Sequence, residues 1–71
     1  MKFKPVDSSH IEGYYYDAGK KILYVKFKTG AIYSYDNVLK GVVDAFDRAE
    51  SKGSYFEHNI KHTYKYQRIE E

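Results

Sequence analysis

Seventy-one residues with a formal net charge of +2 set a low ceiling: one domain, without room for a separate catalytic partner. Leu, Ile, Val and Phe supply only 16 residues, and nine Tyr make up the difference, so the core must be partly phenolic. The absence of Cys removes any disulfide framework and any thiolate zinc site, and no apolar run approaches the ~20 residues of a membrane helix.

The start, Met1-Lys2-Phe3-Lys4-Pro5, lacks the apolar stretch of a signal peptide, so a cytoplasmic chain with no membrane partner is expected. Residues 11–17, 21–28 and 31–36 read as strands, each short, aromatic or β-branched, and bounded by turn residues. Asp17-Ala18-Gly19-Lys20 suits a four-residue hairpin loop. Lys28-Thr29-Gly30 suits a type I turn with Gly30 in the left-handed bulge position. From residue 38 the period changes, and Leu39, Val42, Val43, Phe46 and Ala49 fall on one helical stripe. Asn37 is the expected N-cap and Gly53 the expected stop. A second, short helix is expected from Ser54, where Ser54-Tyr55-Phe56-Glu57 fits a capping box, with Phe56 and Ile60 as its buried side. Thr63 to Ile69 alternates Tyr with polar residues and is expected to run extended.

Register decides which tyrosines are available for binding, because a one-residue slip sends every side chain to the opposite face. A three-residue Lys28-Thr29-Gly30 loop pairs Phe27 with Ala31, Val25 with Tyr33 and Leu23 with Tyr35. The first loop then pairs Tyr16 with Lys21 and Tyr14 with Leu23. A two-residue Thr29-Gly30 loop would instead place Ser34 and Asp36 beside Val25 and Leu23. Burying an unpaired carboxylate is costly, so the first register is preferred. Tyr14, Tyr16, Leu23, Val25, Phe27, Tyr33 and Tyr35 then form the floor for the helix. Tyr15, Ile22, Tyr24, Lys26, Lys28 and Ile32 are left on the other face. That face is too apolar for plain solvated surface, and a second copy or Tyr64 and Tyr66 of the tail are expected over it.

Charge is uneven along the chain. Lys20 to Lys28 holds four lysines and no acid, and His58 to Arg68 holds three cations, two histidines and no acid. Between them Lys40, Asp44 and Arg48 stand four apart, as on a solvated helix face.

Several spaced motifs carry a family resemblance: Asp7-Ser8-Ser9-His10-Ile11, Tyr16-Asp17, Leu23-Tyr24-Val25-Lys26-Phe27, and Gly30 followed by Tyr33-Ser34-Tyr35. With Ala49-Glu50-Ser51-Lys52-Gly53-Ser54-Tyr55-Phe56 and Ile60 beyond, the chain resembles the KTSC domain over about residues 6–69. The resemblance implies a single KTSC-like domain over 1–71, of a kind found at the C-terminus of some lysyl-tRNA synthetases and as single-domain bacterial proteins. It implies no established activity; RNA binding has been proposed for the family. Leu39 departs from the pattern, standing where proline is expected at the helix start. Proline there only pre-sets a helical dihedral, so the fold need not change.

Each candidate site has a plain structural reading beside the functional one. Tyr33 and Tyr35 could stack unpaired bases, as alternating aromatics on a sheet do, but the register favours a core role. Ser51 and Gly53, also in the motifs, read as structural. Lys20, Lys21, Lys26 and Lys28 with Tyr24 suit phosphate contacts plus one stacking surface, or ordinary edge protection. His58 and His62 have helical metal-ligand spacing without a third ligand, so no metal is expected. Ser8-Ser9-His10 and Ser51 are the only hints of hydroxyl chemistry, and no glycine-rich phosphate loop is present, so neither an enzyme nor a cofactor is expected.

The reading is therefore α+β: a three-stranded antiparallel meander, a helix packed on one face, a short second helix and an extended tail. The expected function is a small non-catalytic module binding RNA or single-stranded nucleic acid through Tyr24, Lys26 and Lys28, extended by Lys61, Lys65 and Arg68. The rival is a protein-interaction module, or a homodimer, using the apolar outer face.

Overall fold

A computed structural model describes residues 2–69, so the expected domain limits at 1 and 71 lie outside the described residues. The chain runs β1 (Lys4–Pro5), β2 (Ile11–Asp17), β3 (Ile22–Phe27), β4 (Ile32–Tyr35), α1 (Lys40–Arg48), α2 (Lys52–Asn59) and β5 (Tyr66–Ile69). The strands form one antiparallel sheet in the order β1-β2-β3-β4-β5. The class is α+β as expected, but the three-stranded meander is only the centre of a five-stranded sheet. The extended tail becomes β5, with Tyr66 opposite Tyr35 and Arg68 opposite Tyr33. At the other edge Lys4 and Pro5 pair with Tyr14 and Gly13. Gly13 permits this approach, because a Cβ there would stand 2.7 Å from the Lys4 carbonyl oxygen.

The β3–β4 hairpin takes the preferred register, with Val25 opposite Tyr33 and Leu23 opposite Tyr35. Its turn closes through Gly30 N–H donating to the Phe27 carbonyl, and Gly30 has φ +97° as the bulge position requires. The β2–β3 hairpin differs from expectation by two residues: Tyr16 faces Leu23 and Tyr14 faces Val25. Asp17 extends the strand opposite Ile22, and the loop shifts onward so that Lys21 takes the left-handed conformation at φ +57°. Because the slip is even, every side chain keeps its face.

Both helices pack on the Tyr14, Leu23, Val25 and Tyr35 face, where Val43, Phe46, Phe56 and Ile60 complete the core. Phe46 meets the Tyr14 ring edge-on, and Phe56 does the same to Phe27 and Tyr35. Burial of this apolar face is the main stabilising term for helices too short to persist alone.

The helix limits correct four expectations. Asn37 does not cap α1; it adopts φ +59° and turns the chain, leaving Leu39 at the N-cap with no side-chain cap. Leu39 is accordingly 55% exposed and not part of the buried stripe. Gly53 does not stop a helix but lies in the first turn of α2, and Ser51 rather than Ser54 caps it, accepting from the Ser54 N–H.

Tyr64 and Tyr66 do not lie over the outer face, although Ile32 and Ser34 on that face are each only 3% exposed. The Tyr66 ring lies against Tyr33 and Tyr35 on the helix side, and Tyr64 packs against the core. Among the described residues no helix packs over the Tyr15, Ile22 and Tyr24 surface.

Candidate functional site

Two short helices cannot cover a sheet five strands wide. α1 lies toward β1 and β2, where Lys4 Nζ and the Tyr14 hydroxyl both donate to Asp47 Oδ1 at 2.8 and 2.7 Å. Those two donors hold the Asp47 carboxyl below its usual range, with the Lys4 hydrogen bond the larger cause. α2 lies over the centre through Phe56. The helix side of the β4–β5 end is left open as a groove of about 1000 Å³.

Aromatic rings floor this groove. Tyr33 stands edge-on to Phe27 at 5.8 Å between centroids and lies 5.8 Å from Tyr66. Tyr66 is 56% exposed, whereas Tyr35 beneath it is 3% exposed. Burial, then the neighbouring Tyr33 and Tyr66 phenols, push the Tyr35 hydroxyl well above its ordinary range, so it stays neutral at physiological pH. Tyr35 is therefore floor and core at once, while Tyr33 and Tyr66 present ring surface to the groove.

Cations from three separate elements rim the groove: Lys28 from the β3–β4 turn, Lys61 from the end of α2, and Arg68 from β5. Glu57 is the one carboxylate among the lining residues, and Lys61 Nζ stands 3.5 Å from its Oε1. Local charge is therefore +3 − 1 = +2 with histidines neutral, as large as that of the whole chain. An aromatic floor with a cationic rim suits an anionic ligand that carries planar rings.

Of the residues singled out in the sequence, Lys28, Lys61, Arg68, Tyr33, Tyr35 and Gly53 meet at this groove. Tyr24 and Lys26 stand on the opposite face. The Tyr24 ring is tilted against Tyr15 at 6.0 Å, and Lys26 Nζ lies 3.6 Å from Glu12 and over the Phe3 ring. Lys28 parts from them because strand alternation ends at Phe27, where the turn begins. Lys65 is exposed outside the groove, its carbonyl accepting from the Asp36 N–H.

Ser51 and Gly53 also form part of a second, polar recess of about 410 Å³ with Asp7, Ser8 and Ser9. A Cβ on Gly53 would sit 3.3 Å from Ser8 Oγ, so the glycine lets the segment before β2 lie close to α2. The Ser8 hydroxyl accepts from the His10 and Ile11 N–H groups. His10 borders both recesses. His58 and His62 do not share a helical face, since α2 ends at Asn59 and the chain turns at Ile60. His58 Nδ1 bonds the Ser54 carbonyl oxygen at 2.9 Å, whereas His62 reaches the groove. Among the described residues, no three His, Asp or Glu side chains gather as a metal site.

Tyr66, His10 and His62 were singled out in the sequence for other roles, and the sequence reading did not bring them to this groove. The alternation of Tyr64 and Tyr66 showed an extended segment, but only its pairing with β4 reveals which face Tyr66 takes.

Comparison with known proteins gives a consistent picture. The KTSC domain model matches residues 7–64. The chain is 36% identical over 63 residues to a lysine–tRNA ligase of Nostoc sp., covering 89% of this chain and 11% of the ligase. It spans about a tenth of the ligase it matches. An uncharacterized protein of Stutzerimonas stutzeri is 38% identical over 71 residues, covering 99% of this chain and 100% of that protein. The crystal structure of a KTSC domain protein from Yersinia pestis superposes with a TM-score of 0.93 at 30% identity, over 97% of both chains.

Proposed function

The chain belongs to the KTSC domain family, and we propose that it is a non-catalytic accessory module that holds single-stranded RNA in the groove beside α2. One observation carries this reading: Lys28, Lys61 and Arg68, distant in sequence, converge around the ring surfaces of Tyr33 and Tyr66. Unpaired bases stack on such rings, and the three cations neutralise phosphates along the strand. A duplex hides its base faces and would engage only the rim. One relative is named a lysine–tRNA ligase, a protein whose substrate by that name is an RNA, and an RNA-holding segment fits that company.

Tyr24, Lys26 and Lys65 lie outside the groove, and in this reading the two lysines contribute only to the general field. A second reading uses the part-exposed Tyr15–Tyr24 surface to engage a protein partner or a second copy. Salt distinguishes the two, because phosphate-driven binding weakens as salt rises and an apolar interface does not. Fluorescence anisotropy with a labelled oligouridine of ~10 nucleotides at several salt concentrations is the test. Three phosphate contacts predict a slope of about −2 in log affinity against log salt, and Arg68→Ala should remove about 0.7 of it. No binding at sub-millimolar protein in low salt would overturn the RNA reading.

A further inference from the structure

His10 and His62 line the same groove as the three permanent cations, from opposite ends of the chain, and both are exposed. Resting on the RNA reading above, we propose that these two histidines are proton-gated phosphate contacts, so that the groove grips a single strand more tightly as pH falls. Histidine is the side chain whose ordinary titration, near pH ~6.5, falls within the physiological range. The fixed charges lining the groove with it are Lys28 from the β3–β4 turn, Glu57 and Lys61 from α2 and its end, and Arg68 from β5. Tyr33, Tyr35 and Tyr66 line it as well, and burial raises the Tyr35 hydroxyl further from this window. On its other side His10 borders the recess lined by the charged residues Asp7, Glu50 and Lys52.

Protonating both rings takes the local charge from +2 to +2 + 2 = +4, a doubling, while the folded core is untouched. Each imidazolium also gains donors suited to phosphate oxygen. His58, the remaining histidine, is engaged by Ser54 and does not line the groove, so it serves as an internal control.

The experiment is anisotropy with labelled oligouridine, whose bases do not titrate in this range, at about pH 8 and about pH 5.5. Wild type should gain about fivefold to tenfold in affinity at the lower pH, the effect of two exposed ion pairs. Its salt slope should steepen by about 1.4, two contacts at about 0.7 each. The His10→Gln/His62→Gln double variant should lose both pH-dependent changes, whatever its affinity at about pH 8, whereas His58→Gln should keep them. RNA binding that is independent of pH, or a pH effect that survives in the double variant, would overturn the inference and leave the groove reading standing. No binding at either pH would overturn both. Circular dichroism at both pH values checks that the fold is unchanged.

Discussion

Tyr35→Ala probes the register on which the site depends. The side chain is 3% exposed, lies opposite Leu23 and Tyr66, and packs edge-on against Phe56 at 5.5 Å and tilted against Tyr66 at 5.9 Å. Truncating a large buried aromatic costs about 3–5 kcal/mol, combining lost transfer energy with the cavity left behind. Each aromatic pair adds about 0.5–1.5 kcal/mol in such settings, so the upper half of that range applies here. A chain of 71 residues has about 4–10 kcal/mol of total stability. The substitution therefore removes about half of it, and the urea midpoint should fall steeply with little change in slope. Tyr24→Ala, half-buried on the opposite face, should cost about 1 kcal/mol. Equal losses for the two, or a Tyr35→Ala loss within about 0.5 kcal/mol, would refute the assignment of Tyr35 to the core face.

Three further outcomes follow from local geometry. Leu39→Pro should be tolerated and stabilise by about 0.4–1 kcal/mol in thermal melts, because Leu39 already holds φ −78° at an exposed N-cap. Gly13→Ala should destabilise by about 1–3 kcal/mol in urea and loosen β1, since the new Cβ would meet the Lys4 carbonyl oxygen at 2.7 Å. Asp47 has a folded-state pKa lowered by its bonds to Lys4 and Tyr14, so the stability it contributes is full above about pH 4 and lost as pH falls through the folded value. Asp47→Asn should therefore flatten the acid limb of a Tm-against-pH profile and leave the neutral plateau's shape intact.

Local patterns made the centre of the fold legible. Alternation in β2 to β4, Gly30 in its turn and the cost of burying Asp36 together fix which face carries Tyr33 and Tyr35. The edges were not legible, for physical reasons. β1 has two residues, one of them proline, and forms only because Gly13 admits it. β5 pairs across two intervening helices, and nothing in Tyr66-Gln67-Arg68-Ile69 names its neighbour. At α2 the Ser54 capping box was the only start read in the sequence, whereas Ser51, three residues earlier, takes the cap. Gly53 reads as a stop in isolation, and the close approach of Ser8 explains why glycine stands inside the first turn instead. The site was half legible in the same sense. The cation runs supplied Lys28, Lys61 and Arg68, but alternation extended one residue too far grouped Lys28 with Tyr24 and Lys26.

The central claim is that ligand lies on the helix side of the sheet, on Tyr66, and not on the outer face, on Tyr24. Both side chains can be truncated without emptying the core, so a paired comparison of Tyr66→Ala and Tyr24→Ala in oligouridine binding at constant salt tests it most directly. The account predicts that Tyr66→Ala loses about 1–3 kcal/mol of binding with an unchanged salt slope, while Tyr24→Ala binds as wild type does. A loss in Tyr24→Ala with Tyr66→Ala unaffected would place the ligand on the opposite face and contradict the groove.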